Sequence, residues 1–131
     1  MIQNCSFLQV FDNSGAIYVK CFKTYKYHNN RYFNFIIKVS VRKYRMHKKV
    51  VTKKGQVFNA LIIKTKTNRL RFNGQKIVFD KNGCIIINNI NFRNKKTRNK
   101  INMLSSTTFG LALKEFRLYS IKININTINI I

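Results

Sequence analysis

Few side chains in this chain are equipped for chemistry. The carboxylates are Asp12, Asp80 and Glu115, and the imidazoles are His28 and His47. Acid–base work on a glycosidic or phosphoryl bond needs two such groups facing one bond. Asp12 and Asp80 instead each adjoin a turn signal, Asp12-Asn13-Ser14-Gly15 and Lys81-Asn82-Gly83, where Asp commonly bonds nearby backbone. His28 falls in a polar loop and His47 in a basic stretch, so both read as solvated or phosphate-facing. Cys5, Cys21 and Cys84 are far apart, with no C-x-x-C pair, which removes the usual zinc spacing. Their odd number argues against a secreted disulfide framework, and all three read as small buried hydrophobes in a reducing compartment. There is no nucleophile elbow, phosphate-binding glycine loop or H-E-x-x-H pattern. The sequence therefore predicts no enzyme, no metal and no cofactor.

What the chain does carry is positive charge. It has 26 Lys and Arg against 3 acids, a formal net charge of +23. Such an excess repels itself within a compact fold, so an anionic partner is implied: nucleic acid, a membrane surface or an acidic protein. No apolar run of about 18 residues exists to span a bilayer, and the cations recur along the whole chain instead of on one amphipathic helix. A phosphate backbone fits better, because it offers dense charge along any path. Tyr25, Lys26, Tyr27, Arg31 and Tyr32 form one mixed basic and aromatic group, and Arg42, Lys43, Tyr44 and Arg45 another. Cations contact phosphates while Tyr stacks on unpaired bases. Taken singly, each group reads equally well as core aromatics beside solvated charges. The pattern does not separate RNA from DNA.

The elements that must carry these residues read as short strands with tight turns. Strands are expected at Cys5–Val10 and Ala16–Lys23, the latter with Ile17, Val19 and Cys21 on one face and Tyr18, Lys20 and Phe22 on the other. Phe33–Arg42 sets Ile37, Val39 and Val41 against Lys38, Ser40 and Arg42. A basic stretch follows, with Arg42, Lys43, Arg45, Lys48, Lys49, Lys53 and Lys54, ending at Gly55. Val57–Thr65 contains the apolar run Ala60-Leu61-Ile62-Ile63. Asn73-Gly74 is a two-residue hairpin signal, since both positions tolerate positive φ, between strands Arg69–Phe72 and Gln75–Phe79. Cys84-Ile85-Ile86-Ile87 follows the next turn. Residues 91–102 read as a polar, basic loop with Arg93, Lys95 and Lys96. Thr108 can cap a short helix through Ala112 and Glu115, and Ile121–Ile130 alternates like a strand. No repeat or linker divides the chain, so one domain is expected, a barrel over about 1–90 and a loop, short helix and extended tail over about 91–131. Closure into a barrel would remove the sheet edges.

Asn, Ile and Lys dominate, and Pro and Trp are absent. These common residues are spelled by A- and T-rich codons, an association that points to an organelle genome. Met1 is followed almost at once by a strand, without an Arg-rich transit segment or signal peptide. A mitochondrial location is therefore expected, with a plastid or relict plastid as the alternative.

Several motifs together carry a family resemblance. Met1-Ile2-Gln3, then Leu8-x-Val10-x-Asp12-Asn13-Ser14-Gly15-Ala16 and Cys21-x-Lys23, open it. Ala60-Leu61-Ile62-Ile63, Asn73-Gly74, Phe79, Asn82 and Ile85-Ile86 continue it, followed by Asn88-Asn89, Thr97-Arg98, Phe109-Gly110, Glu115 and Arg117. The chain resembles, over roughly residues 1–118, the universal L-fourteen family of large-subunit ribosomal proteins. It departs from the pattern at Asn34-Phe35, at Leu111 where a Pro is usual, and by an insertion between Arg98 and Phe109. The resemblance implies a mainly β fold, a five-stranded barrel with a small C-terminal helical part. It implies binding to large-subunit ribosomal RNA, ribosomal proteins L-nineteen and L-three as neighbours, and a bridge to small-subunit ribosomal RNA near Thr97 and Arg98. Lys53, Lys54, Lys64, Lys66, Arg69 and Arg71 match basic family positions expected to contact RNA. A lineage-specific protein is an expected cover for the Ile-rich tail. The competing function is a free single-strand nucleic-acid-binding barrel outside the ribosome.

Overall fold

A computed structural model describes residues 2–25, 36–46, 51–71, 73–88 and 103–113. Among these residues seven strands follow in order: β1 (Phe7–Val10), β2 (Ala16–Thr24), β3 (Ile36–Tyr44), β4 (Val57–Lys64), β5 (Arg69–Leu70), β6 (Lys76–Ile77) and β7 (Gly83–Ile87). Strands β1-β2-β3-β4-β7 close into a barrel, and β5-β6 is a separate two-stranded sheet. The pairings are antiparallel except at the closure, where β1 and β7 run parallel with Gln9 opposite Gly83 and Val10 opposite Cys84.

The alternation in the sequence is what fills the barrel. Val19 and Cys21 of β2 and Ile37, Val39 and Val41 of β3 are buried with Leu8, Ala60, Ile62, Cys84 and Ile86 in one core. Register shifts between Ala16 and Val19 turn Ala16 inward and leave Ile17 only half-buried. Such an irregularity tightens the local twist that a small closed barrel needs.

The continuous apolar runs have a different cause. Residues 60–63 and 84–87 are all buried, whatever face they point to. Their second face packs in a separate cluster of Ile36, Leu61, Ile63, Ile85 and Ile87 with Ala112 and Leu113. The segment 103–113 covers that outer face. Leu104 N–H donates to Ile86 O (3.1 Å) and Phe109 N–H to Phe11 O (2.8 Å). Isolated antiparallel bridges pair Ile87 with Met103 and Asp12 with Thr108. Strands covered on both faces read as unbroken hydrophobic runs.

Four details correct the expectations. Thr108 is not a helix cap: it is buried in the bridge to Asp12, and 103–113 contains no helix; the remainder of that expected helix, with Glu115, lies outside the described residues. The Asn73-Gly74 hairpin has a three-residue loop rather than a two-residue one. Arg71 N–H donates to Gln75 O (2.9 Å), Gly74 N–H returns to Arg71 O (3.0 Å), and Gly74 takes positive φ while Asn73 does not, the pattern of a turn closed by one left-handed residue. The strands on either side shrink to β5 and β6. Cys5 is exposed, not buried like Cys21 and Cys84, because it occupies the turn before β1 with φ 69°. The expected tail strand Ile121–Ile130 lies outside the described residues.

Candidate nucleic-acid interface

Strand polarity sorts the cations into two groups. β3 ends and β4 begins at one end of the barrel. Arg42 and Lys43 finish β3 there, Arg45 follows, and Lys53 and Lys54 precede β4; all five side chains are exposed. The turn before β4 is held to β3 by Gly55 N–H to Val41 O and Val41 N–H to Gln56 O, both 2.9 Å. Lys53 N–H donates to Gln56 Oε1 (2.7 Å), closing the turn on itself. Both ends of the basic stretch rest on the turn between β1 and β2. Arg45 N–H donates to Gly15 O (2.8 Å), and the buried Thr52 hydroxyl donates to Ser14 O (3.2 Å). Arg42, Lys43, Arg45, Lys53 and Lys54 thus project from fixed backbone.

That turn is itself fixed by Asp12. Its Oδ1 accepts from Ser14 N–H (2.8 Å), the local bond expected of a turn Asp. Its Oδ2 accepts from Ile86 N–H on β7 (2.7 Å), which no local pattern announces. Burial raises the Asp12 pKa, and the hydrogen bonds from Ile86 and Ser14 pull it partway back. Asp12 is therefore a structural pin and offers no free carboxylate.

The second group lies at the opposite end, where β4 finishes and β7 starts. Lys66 is exposed, and its N–H donates to Asn82 Oδ1 (3.0 Å). Arg69 begins β5, Arg71 is half-buried in the hairpin loop, and Lys76 and Lys81 are exposed nearby. Lys64 is different from the other expected contacts. Its ammonium sits 4.0 Å from the ring centroid of Phe11 and 5.9 Å from that of Phe79, and burial lowers its pKa. The close approach depends on two glycines. A Cβ on Gly83 would come within 2.5 Å of the Phe11 ring, and one on Gly110 within 3.1 Å of Lys64 Nζ. The Lys64 charge is thus engaged by aromatic faces, unlike that of the exposed Lys66.

Of the remaining expected residues, Lys48, Lys49, Arg93, Lys95, Lys96 and Arg117, with the bridge pair Thr97 and Arg98, lie outside the described residues, as do His28, His47, Tyr27, Arg31 and Tyr32. Sequence reasoning passed over the outer face of β1, β2 and β3 as a binding surface. Phe7, Tyr18 and Phe22 are exposed there beside Lys20, Lys23 and Lys38. The signal was present in the alternation of β2. A groove of about 660 Å³ opens nearby, lined by Gln9, Phe11, Asn13, Ile17, Arg45 and Phe109. Among the described residues no cluster of three His, Cys, Asp or Glu could hold a metal, and no helix is long and apolar enough to cross a membrane.

Comparison with known proteins gives the same direction as this geometry. The family model described as ribosomal protein L14p/L23e matches residues 1–119. A relative named large ribosomal subunit protein uL14, from Carsonella ruddii (strain PV), is 38% identical over 119 residues, covering 89% of this chain and 88% of that protein. The chain belongs to the ribosomal protein L14p/L23e family, a family of structural, non-enzymatic ribosomal proteins.

Proposed function

We propose that this protein is a structural constituent of the large ribosomal subunit and that it holds large-subunit ribosomal RNA between the two basic ends of its barrel. The observation that carries this reading is the placement of exposed cations at both ends, on turns pinned to the barrel, in a chain of net charge +23. Two separated basic ends can neutralise two phosphate tracks at once. Each neutralised phosphate releases counterions, so log affinity falls with log salt by roughly 0.7–0.9 per contact. Selection of the correct site then rests on shape, since duplex RNA exposes little base identity to side chains.

The finer assignments follow the family resemblance. Thr97 and Arg98 contribute to a bridge with small-subunit ribosomal RNA, and ribosomal proteins L-nineteen and L-three are neighbours. The Ile-rich tail, beyond the matched range, is assigned a lineage-specific protein as its cover because an exposed strand there would invite edge pairing. The ribosome is that of a mitochondrion, or alternatively a plastid, as the Asn-, Ile- and Lys-rich composition suggests.

Sedimentation tests the reading. The protein is followed through a sucrose gradient of organelle lysate, with and without magnesium, after washes at moderate salt. Co-migration with the large subunit in both conditions is expected. Free protein at the top of the gradient would overturn the assignment and favour a nucleic-acid-binding barrel outside the ribosome. Arg69→Glu with Arg71→Glu is expected to weaken incorporation.

A further inference from the structure

We infer that the outer face of β1, β2 and β3 is a stacking platform for unpaired RNA bases, sharing Lys43 with the basic end where β3 finishes. This rests on the RNA-binding reading above and deepens it, naming single-stranded segments as what this face takes.

The face is built by strand alternation. Val19 and Cys21 point into the barrel, which turns Tyr18, Lys20 and Phe22 outward. Phe7 stands opposite Lys20 and Gln9 opposite Tyr18. Phe7 is thus a diagonal neighbour of both Tyr18 and Phe22, at about 7–8 Å. The three rings are 58%, 40% and 44% exposed. Contiguous exposed rings of this kind mark an interaction surface rather than ordinary scatter.

Charge identifies the partner. Lys20 Nζ lies 5.7 Å from the Phe7 ring centroid. Lys43 stands opposite Tyr18 across β2 and β3, and Lys23 stands opposite Lys38. No acidic residue occurs in β1, β2 or β3. An apolar partner would have to desolvate these ammonium groups without replacing their water. A strand of unpaired nucleotides supplies both halves of the complement: flat π faces for the rings and phosphates for the lysines. A duplex keeps its base faces within its own stack and offers the phosphates alone.

The test uses the full chain with Phe7→Ala, Tyr18→Ala and Phe22→Ala combined. A second variant, Phe7→Leu with Phe22→Leu, keeps apolar bulk and removes two rings. Thermal melting checks that both remain folded. Fluorescence anisotropy then measures binding to single-stranded oligouridine, an abasic oligomer of equal length and an RNA duplex, across a salt series. Wild type is expected to prefer oligouridine over the abasic strand. The triple variant is expected to lose about tenfold or more for oligouridine while abasic and duplex binding and every salt slope stay unchanged. The Leu variant should lose several-fold in the same selective way. Oligouridine affinity equal to wild type in the folded variants would overturn the platform. Unchanged RNA binding with poor incorporation into the ribosomal subunit would also overturn it, and would assign the face to a protein. Wild type that binds none of the three probes in a salt-dependent way would remove the underlying RNA-binding reading as well.

Discussion

Asp12 and Ile86 are joined across 74 residues of sequence by a 2.7 Å hydrogen bond from the Ile86 N–H to the Asp12 carboxylate. Asp12 thereby fastens the turn between β1 and β2 to the strand that closes the barrel. The basic stretch rests on the same turn, so this one carboxylate sets the backbone from which Arg45 and its neighbours project.

Replacing Asp12 by Ala leaves the Ser14 and Ile86 N–H groups without their acceptor. A buried donor left unpaired costs about 1–3 kcal/mol, so a loss of roughly 2–6 kcal/mol is expected for the pair. Urea unfolding measures it. A loss below about 1 kcal/mol would show that water or backbone readily takes over these donors.

The same residue gives stability a pH dependence of defined sign. Burial holds the Asp12 pKa above its ordinary 3.8. A carboxyl raised in the folded state binds its proton more tightly folded than unfolded. Its contribution is complete below pH 3.8 and shrinks as pH rises through the raised value. The stability gap between wild type and Asp12→Asn should therefore narrow with rising pH. A gap that widens contradicts the assignment of burial as the dominant influence.

Gly83 leaves no space for a side chain. Gly83→Ala sets a methyl within 2.5 Å of the Phe11 ring, and such overpacking costs about 1–3 kcal/mol. The double change Gly83→Ala with Phe11→Leu should recover much of that loss. Equal destabilisation of the single and double variants would show that the strain lies in the backbone and not against Phe11.

Lys64 and Lys66 should separate in their effects. Lys64→Ala removes packing and the cation–π contact with Phe11, and is expected to cost about 0.5–2 kcal/mol in stability. Lys66 is exposed, so Lys66→Ala should leave the melting temperature near wild type and make the salt slope of RNA binding shallower. A melting shift as large for Lys66→Ala as for Lys64→Ala would erase the distinction.

The thiols should divide by burial. Cys5 is exposed, whereas Cys21 and Cys84 are buried, and burial pushes the Cys84 thiol well above its ordinary pKa. An aromatic disulfide reagent should label Cys5 alone in the folded protein and all three cysteines in denaturant. Fast native labelling of Cys84 would mean that the barrel opens far more readily than its packing indicates.

The interior of β3, and of β2 from Val19 onward, could be read from the chain because burial on one face forces a period of two; Ile17 broke the pattern because the register shifts between Ala16 and Val19. The runs at 60–63 and 84–87 announced two-sided burial without revealing that Ala112 and Leu113 supply the second cover. Thr108 misled because a capping residue followed by apolar positions suits a local helix, while its bridge to Asp12 is a contact between distant parts of the chain. Asp12 was legible as a turn residue through Ser14, its near partner, but not through Ile86. Cys5 failed for the opposite reason. Its composition suggested burial, and a left-handed backbone in the turn put it outside. At the candidate interface, the exposed cations near β3 and β4 were legible from polarity alone. The capture of Lys64 by Phe11 depends on space left by Gly83 and Gly110, which appears only when strands meet.

The parallel seam between β1 and β7 also sets a timetable for synthesis. A strand centred near residue 8 cannot find its last neighbour until residue 87 has been made. Until β7 is made, β1 to β4 can pair only as an open sheet with two unpaired edges. The barrel then closes late, in a step whose speed is governed by long-range loop closure. A nascent chain of this protein is therefore most prone to aggregate just before β7 emerges, and a bound anion or chaperone would matter most in that interval.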